Sequence, residues 1–81
     1  MISCEKYDYV EIACMHRYPV KLSLKSGGVV MGTALDTARN DDKQECILLQ
    51  TDEQQTLVVL DKISVLEVCV DNPHFVRVNL S

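Results

Sequence analysis

Val20-Lys21-Leu22-Ser23-Leu24-Lys25-Ser26-Gly27-Gly28-Val29 is the stretch on which the fold turns. Apolar and polar side chains alternate from Val20 to Leu24, the period of a strand with one face on a core, and a polar turn with two glycines then reverses the chain. Glycine there supplies the positive φ that hairpin turns demand. The same pattern runs on downstream. Val29 to Ala38 reads as a longer second strand, with Gly32 expected to mark a bend or bulge that lets one strand serve both sides of a small barrel. Arg39 to Gln44 is a polar loop, Glu45 to Thr51 is apolar enough for a central strand, and Asp52 to Gln55 turns the chain again. Thr56 to Leu60 and Ile63 to Val68 are strands separated only by Asp61-Lys62, a tight corner too short for a helix. After a turn at Asp71 to His74, Phe75 to Leu80 alternates as a last strand.

Upstream of the strands the period changes to that of a helix. Ser3 can cap it, Glu5 and Asp8 place acid in the first turns where the helix dipole favours it, and Pro19 stands at its far end. On a helix over residues 3–17, Tyr7, Val10 and Cys14 share one stripe, while Glu5, Asp8 and Glu11 project from another. One helix followed by five or six short antiparallel strands makes a mainly β chain, a small barrel or sandwich over 20–80 in a single domain, 1–81.

Composition limits what such a domain can do. Eighty-one residues leave no room for a doubly wound α/β fold or a (β/α)₈ barrel. The apolar runs fall well short of the roughly 18 residues that cross a bilayer, so no membrane partner is expected. The opening Met1-Ile2-Ser3-Cys4-Glu5 carries acid where a secretory signal carries base, from which a cytoplasmic location is expected. With 8 Lys and Arg against 12 Asp and Glu the net charge is −4, and the pI is about 4.9. Phosphate binding calls for the opposite sign, so direct contact with nucleic acid is not expected and a basic surface is the natural partner. Cys4, Cys14, Cys46 and Cys69 form no C-x-x-C pair and read as reduced, mostly small core residues.

Catalytic and metal chemistry find little support. Cys14 and His16, with Cys69 and His74, do not make the two matched close pairs of a zinc site, so no metal or other cofactor is expected. A Cys/His nucleophile pair lacks a third orienting group, and Gly27-Gly28 precedes a strand where a phosphate-cradling loop precedes a helix; the chain reads as a non-enzyme. Val20-x-Leu22-x-Leu24-Lys25-x-Gly27, Gly32 and Asp36-x-x-x-Asn40 resemble the first signature of Sm-like proteins, whose five-stranded barrel follows an N-terminal helix. That resemblance gives the expected fold, a small Sm-like antiparallel β-barrel or sandwich, and an alternative function as an RNA-binding module in which Asp36 and Asn40 would meet bases. Asp41-Asp42 beside them would repel phosphate, and both residues are read first as loop-shaping.

A second resemblance rests on the helix. Cys4-x-x-Tyr7-Asp8-x-x-Glu11-x-Ala13-Cys14-x-His16, with Leu22-x-Leu24-Lys25-x-Gly27 and Leu60-Asp61-Lys62-Ile63, closely resembles the Rof family of Rho-binding antiterminators. The resemblance implies a monomer when free that binds the N-terminal, RNA-binding domain of the transcription termination factor Rho. It would block Rho's primary RNA site without binding RNA itself. Tyr7, Asp8 and Glu11 match the helix residues that the family uses against Rho, and Glu5 extends their acidic ridge. The family also uses a basic residue in the loop between its second and third strands, for which Lys43 is the equivalent here.

Overall fold

The computed structural model describes residues 2–80; Met1 and Ser81, the ends of the expected domain, lie outside the described residues. Helix α1 spans Cys4–Met15. Ser3 caps it as expected, its Oγ accepting the Lys6 N–H at 3.3 Å, and Glu5 lies in the first turn. The helix stops two residues before Arg17. Arg17 takes a left-handed φ of 53°, and its N–H and that of Tyr18 close back on the carbonyls of Cys14 and Ala13 at 3.1 and 3.0 Å. Pro19 therefore opens the first strand and does not end the helix.

Six strands follow: β1 (Pro19–Leu24), β2 (Val29–Arg39), β3 (Glu45–Gln50), β4 (Gln55–Val59), β5 (Ile63–Val68) and β6 (Arg77–Asn79). A single 3₁₀ turn, Leu60–Lys62, makes the tight corner between β4 and β5. All pairings are antiparallel, in the order β4-β3-β2-β1-β5-β6. The β1–β2 turn uses Gly27 at φ 102°, as the two glycines foretell. β6 is shorter than the alternation from Phe75 to Leu80 implies. The Asn72 side chain holds the preceding loop instead, donating to the Val70 and Phe75 carbonyls and accepting the His74 and Phe75 N–H groups.

β2 turns the sheet into a barrel-like wrap. Residues 29–33 pair with β1, residues 33–39 pair with β3, and the register slips by one between Ala34 and Asp36. The bulge is thus at Leu35 and not at Gly32. Gly32 has a different reason: a Cβ there would lie 2.8 Å from the Gln50 carbonyl oxygen, so the close approach of β3 excludes a side chain.

The core joins helix and sheet. Val10, Ala13 and Cys14 from α1 pack with Val20, Leu22, Ala34, Ile47, Leu49, Val58, Leu60, Ile63 and Leu66. No charged or polar side chain is buried among the described residues, so hydrophobic burial carries the fold without a desolvated polar group to offset. Of the cysteines only Cys14 and Cys46 are buried; Cys4 and Cys69 are exposed, and all four are free thiols.

Candidate functional site

The acidic residues of α1 follow from its sequence spacing. Three residues turn a helix through about 300°, so each step from Glu5 to Asp8 to Glu11 rotates the carboxylate back by about 60°. All three are exposed, but they face different ways: Glu11 lies against β2, and Glu5 and Asp8 lie on the outer surface. Tyr7, four residues before Glu11, is half-buried and packs against the core cluster on the same side.

Between α1 and the end of β2 these side chains border a chain of shallow concavities. Glu11, Cys14, Met15, Arg17, Leu35, Asp36 and Thr37 line the first, of about 350 Å³. Tyr7 meets Thr37, Ala38, Arg39 and Glu45 in a smaller one of about 180 Å³. Arg39 and Glu45 also line a third, of about 300 Å³, with Ile2, Lys43, Gln44 and Asp61. Thr37 is common to the first two and Arg39 and Glu45 to the last two, so the three adjoin as an interrupted groove. Tyr7, Glu11 and Lys43 therefore come together along it, while Asp8 and Glu5 stand on the helix surface beside it.

Arg39 and Glu45 are groove residues that sequence pattern alone does not single out as partner-binding, and Asp36, which the Sm-like resemblance offered to a base, lies in the same region. A signal exists for the first two: they flank the β2–β3 loop and pair across it in register, with Arg39 Nη2 4.0 Å from Glu45 Oε1. Both side chains are well exposed, so this ion pair is weak and either partner can turn to another charge. Asp36, expected to shape a loop, lies instead within β2, next to the bulge at Leu35. Its carboxylate accepts the Thr37 N–H at 2.8 Å, and it faces the Glu11 concavity.

The loop is shaped by Asn40. Its Oδ1 accepts the N–H groups of Asp42 and Gln44, both at 3.0 Å, and its Nδ2 donates to Gln44 Oε1. With Oδ1 accepting twice and Nδ2 donating once, the Asn40 amide is largely committed to holding its own loop. Lys43 adopts φ 63° in this loop, and its side chain borders the third concavity.

Electrostatics under the groove are negative. Burial pushes the Cys14 thiol up to about 11, the Asp36 and Glu11 carboxylates push it the same way, and Arg17 opposes them. Cys14 therefore stays a neutral packing residue. His16, which shares its motif, stacks on Tyr18 and His74 with ring centroids at 5.2 and 4.8 Å, towards the chain's last segment.

A family profile described as "Modulator of Rho-dependent transcription termination (ROF)" matches residues 1–80. Among solved structures, "YaeO bound to Magnesium from Vibrio cholerae O395" is similar with a TM-score of 0.88 and 45% sequence identity, over 93% of this chain and 97% of that one. No curated protein matches the sequence significantly.

Proposed function

The chain belongs to the Rof family of modulators of Rho-dependent transcription termination, and from that premise we propose that it acts as a non-enzymatic inhibitor that docks on Rho's N-terminal RNA-binding domain and occupies the primary RNA site. The observation that carries this reading is the groove along α1. There Tyr7 and Glu11 lie with Glu45 and Asp36, next to the exposed Asp8 and Glu5, on a chain of net charge −4.

A site built for RNA offers Arg and Lys to phosphates and aromatic faces to bases. Carboxylates can take the phosphate positions as charge-assisted acceptors, and the Tyr7 ring or hydroxyl can take a base position. Glu5 and Asp8 supply charge on the outer face of the helix and Glu11 supplies it within the groove, so the docked surface is broader than the groove. Lys43, at the groove's other end, pairs with an acidic or carbonyl group of Rho. RNA itself is not the ligand: the engaged Asn40 amide and the acids around Asp36 count against base and phosphate contact. Magnesium, to which the similar Vibrio cholerae protein is bound, has no step in this reading.

Competition decides the proposal. An excess of the protein should suppress binding of C-rich RNA to Rho and the RNA-stimulated hydrolysis of ATP. Rho that holds RNA equally well in its presence would refute the reading. Asp8→Lys should weaken the complex by about 2 kcal/mol, near thirtyfold, with an unchanged melting temperature, because Asp8 is exposed and reverses sign against a basic partner.

A further inference from the structure

The loop between β2 and β3 puts a lysine where a hairpin ordinarily puts glycine. The Lys43 N–H donates to the Asn40 carbonyl at 2.9 Å, closing a four-residue turn, and the Asn40 N–H donates to the Gln44 carbonyl at 3.2 Å. Lys43, the last residue of that turn, takes a φ of 63°. A turn followed by one left-handed residue is a common hairpin connection, and glycine is its usual occupant because a Cβ is crowded by the neighbouring carbonyl there. Among the described residues only Arg17 and Lys43 have a positive φ without being glycine, and the end of α1 accounts for Arg17. Asn40 accounts for Lys43. Its Oδ1 accepts the N–H groups on either side of Lys43, those of Asp42 and Gln44, both at 3.0 Å, while Nδ2 donates to Gln44 Oε1 at 3.0 Å. A disfavoured backbone conformation persists only where its surroundings over-determine it, and such positions gather at functional sites. The lysine side chain is exposed, and among the described residues no ion pair holds its ammonium. Glu45, which borders the same concavity, is taken by Arg39.

We propose that Asn40 is a positioning residue for recognition: it holds Lys43 against the backbone's preference, so that the ammonium stands ready at its end of the groove for an acidic or carbonyl group of Rho. This role rests on the reading of the groove as the Rho-binding surface, and adds to it a residue that acts through another. Ordering a loop at the moment of docking subtracts from affinity, and a loop ordered beforehand avoids that loss. Glycine at position 43 would satisfy the turn and carry no charge. Lysine there gives up some stability for a fixed cation. An Asn40 that served the fold alone would do so equally well whatever residue stood at 43.

A double-mutant cycle on the Rho complex, with affinity read from competition against C-rich RNA, separates the two. Lys43→Ala should weaken the complex about fivefold and Asn40→Ala about threefold, and Asn40→Ala added to Lys43→Ala should weaken it no further. Lys43→Gly should melt at a higher temperature than Lys43→Ala, since both remove the same side chain and only glycine suits the left-handed backbone. Melting temperatures well above that of the assay show that each variant is folded. Asn40→Ala that binds Rho as the wild type does overturns the proposal. So does Asn40→Ala that weakens binding equally with lysine and with alanine at 43, which would return Asn40 to the fold, or Lys43→Ala that leaves binding unchanged. Lys43→Gly melting below Lys43→Ala would show that the backbone is not held against its preference. A wild-type chain that displaces no RNA from Rho overturns the reading of the groove and the role of Asn40 with it, before any variant is compared.

Discussion

The two flanks of α1 are built from opposite materials. On the flank towards β6, rings hold the helix to the chain's last segment: Tyr9 meets Phe75 edge-on at 5.0 Å, and His16 stacks on His74 at 4.8 Å. On the flank towards β2 the helix leaves a groove edged by Tyr7, Glu11, Asp36, Arg39 and Glu45, crossed by a weak 4.0 Å ion pair. The contrast separates two jobs. Aromatic contacts and the buried stripe of Val10, Ala13 and Cys14 fix the helix, so its carboxylates can stay exposed. A partner then gains what the fold does not use.

The largest effect should come from the thiol beneath the open flank. A thiol pushed from 9.0 to about 11 holds roughly a hundredth of the thiolate near neutral pH, and burial slows access further. Alkylation at pH 8 followed by peptide mapping should therefore modify exposed Cys4 and Cys69 first, with Cys14 slower than an ordinary thiol by at least about 100-fold. Modification of Cys14 as fast as Cys4 would mean that the groove floor is open. Stability depends on the same proton. The folded thiol keeps it more tightly than the unfolded one, so this contribution to stability is complete below about pH 9 and is lost as pH rises through about 11.

Breaking the closed flank should cost stability and spare recognition. Phe75→Ala removes the ring against Tyr9 and its packing on the core, and should cost about 2 kcal/mol, a fall in melting temperature of roughly 8–16 °C. Competition with RNA for Rho, measured well below the new melting temperature, should persist. Loss of competition by a folded variant would show that the aromatic side takes part in docking. The smallest effect belongs to the open flank. Arg39→Ala should change stability by no more than about 0.5 kcal/mol in a denaturant titration, since the pair with Glu45 is exposed and long.

Much of the fold is legible in the chain itself. The Val20 to Leu24 alternation and the Gly27 turn place the first hairpin, and Ser3 with the acidic first turn places the helix start. Both signals are local, read within a few residues. Pattern fails where distant chain decides. Gly32 reads as a bulge because glycine is permissive, but its constraint is the Gln50 carbonyl 18 positions away, and the bulge falls at Leu35. Pro19 reads as the helix stop, whereas Arg17 turns left-handed to aim the chain into β1.

The candidate site divides in the same way. Tyr7, Asp8 and Glu11 belong to the helix motif on which the resemblance rests, Lys43 is expected only as the basic residue of the β2–β3 loop, and periodicity alone assigns Asp8 to an exposed face. Arg39, Glu45 and Asp36 join them because the end of β2 and the start of β3 lie beside the helix. The sequence by itself determined the elements, the acidic helix and the family, since each is written in neighbouring residues and their period. Only the tertiary structure decided which side chains share a groove. That depends on contacts between residues far apart in the chain, and no local pattern encodes it.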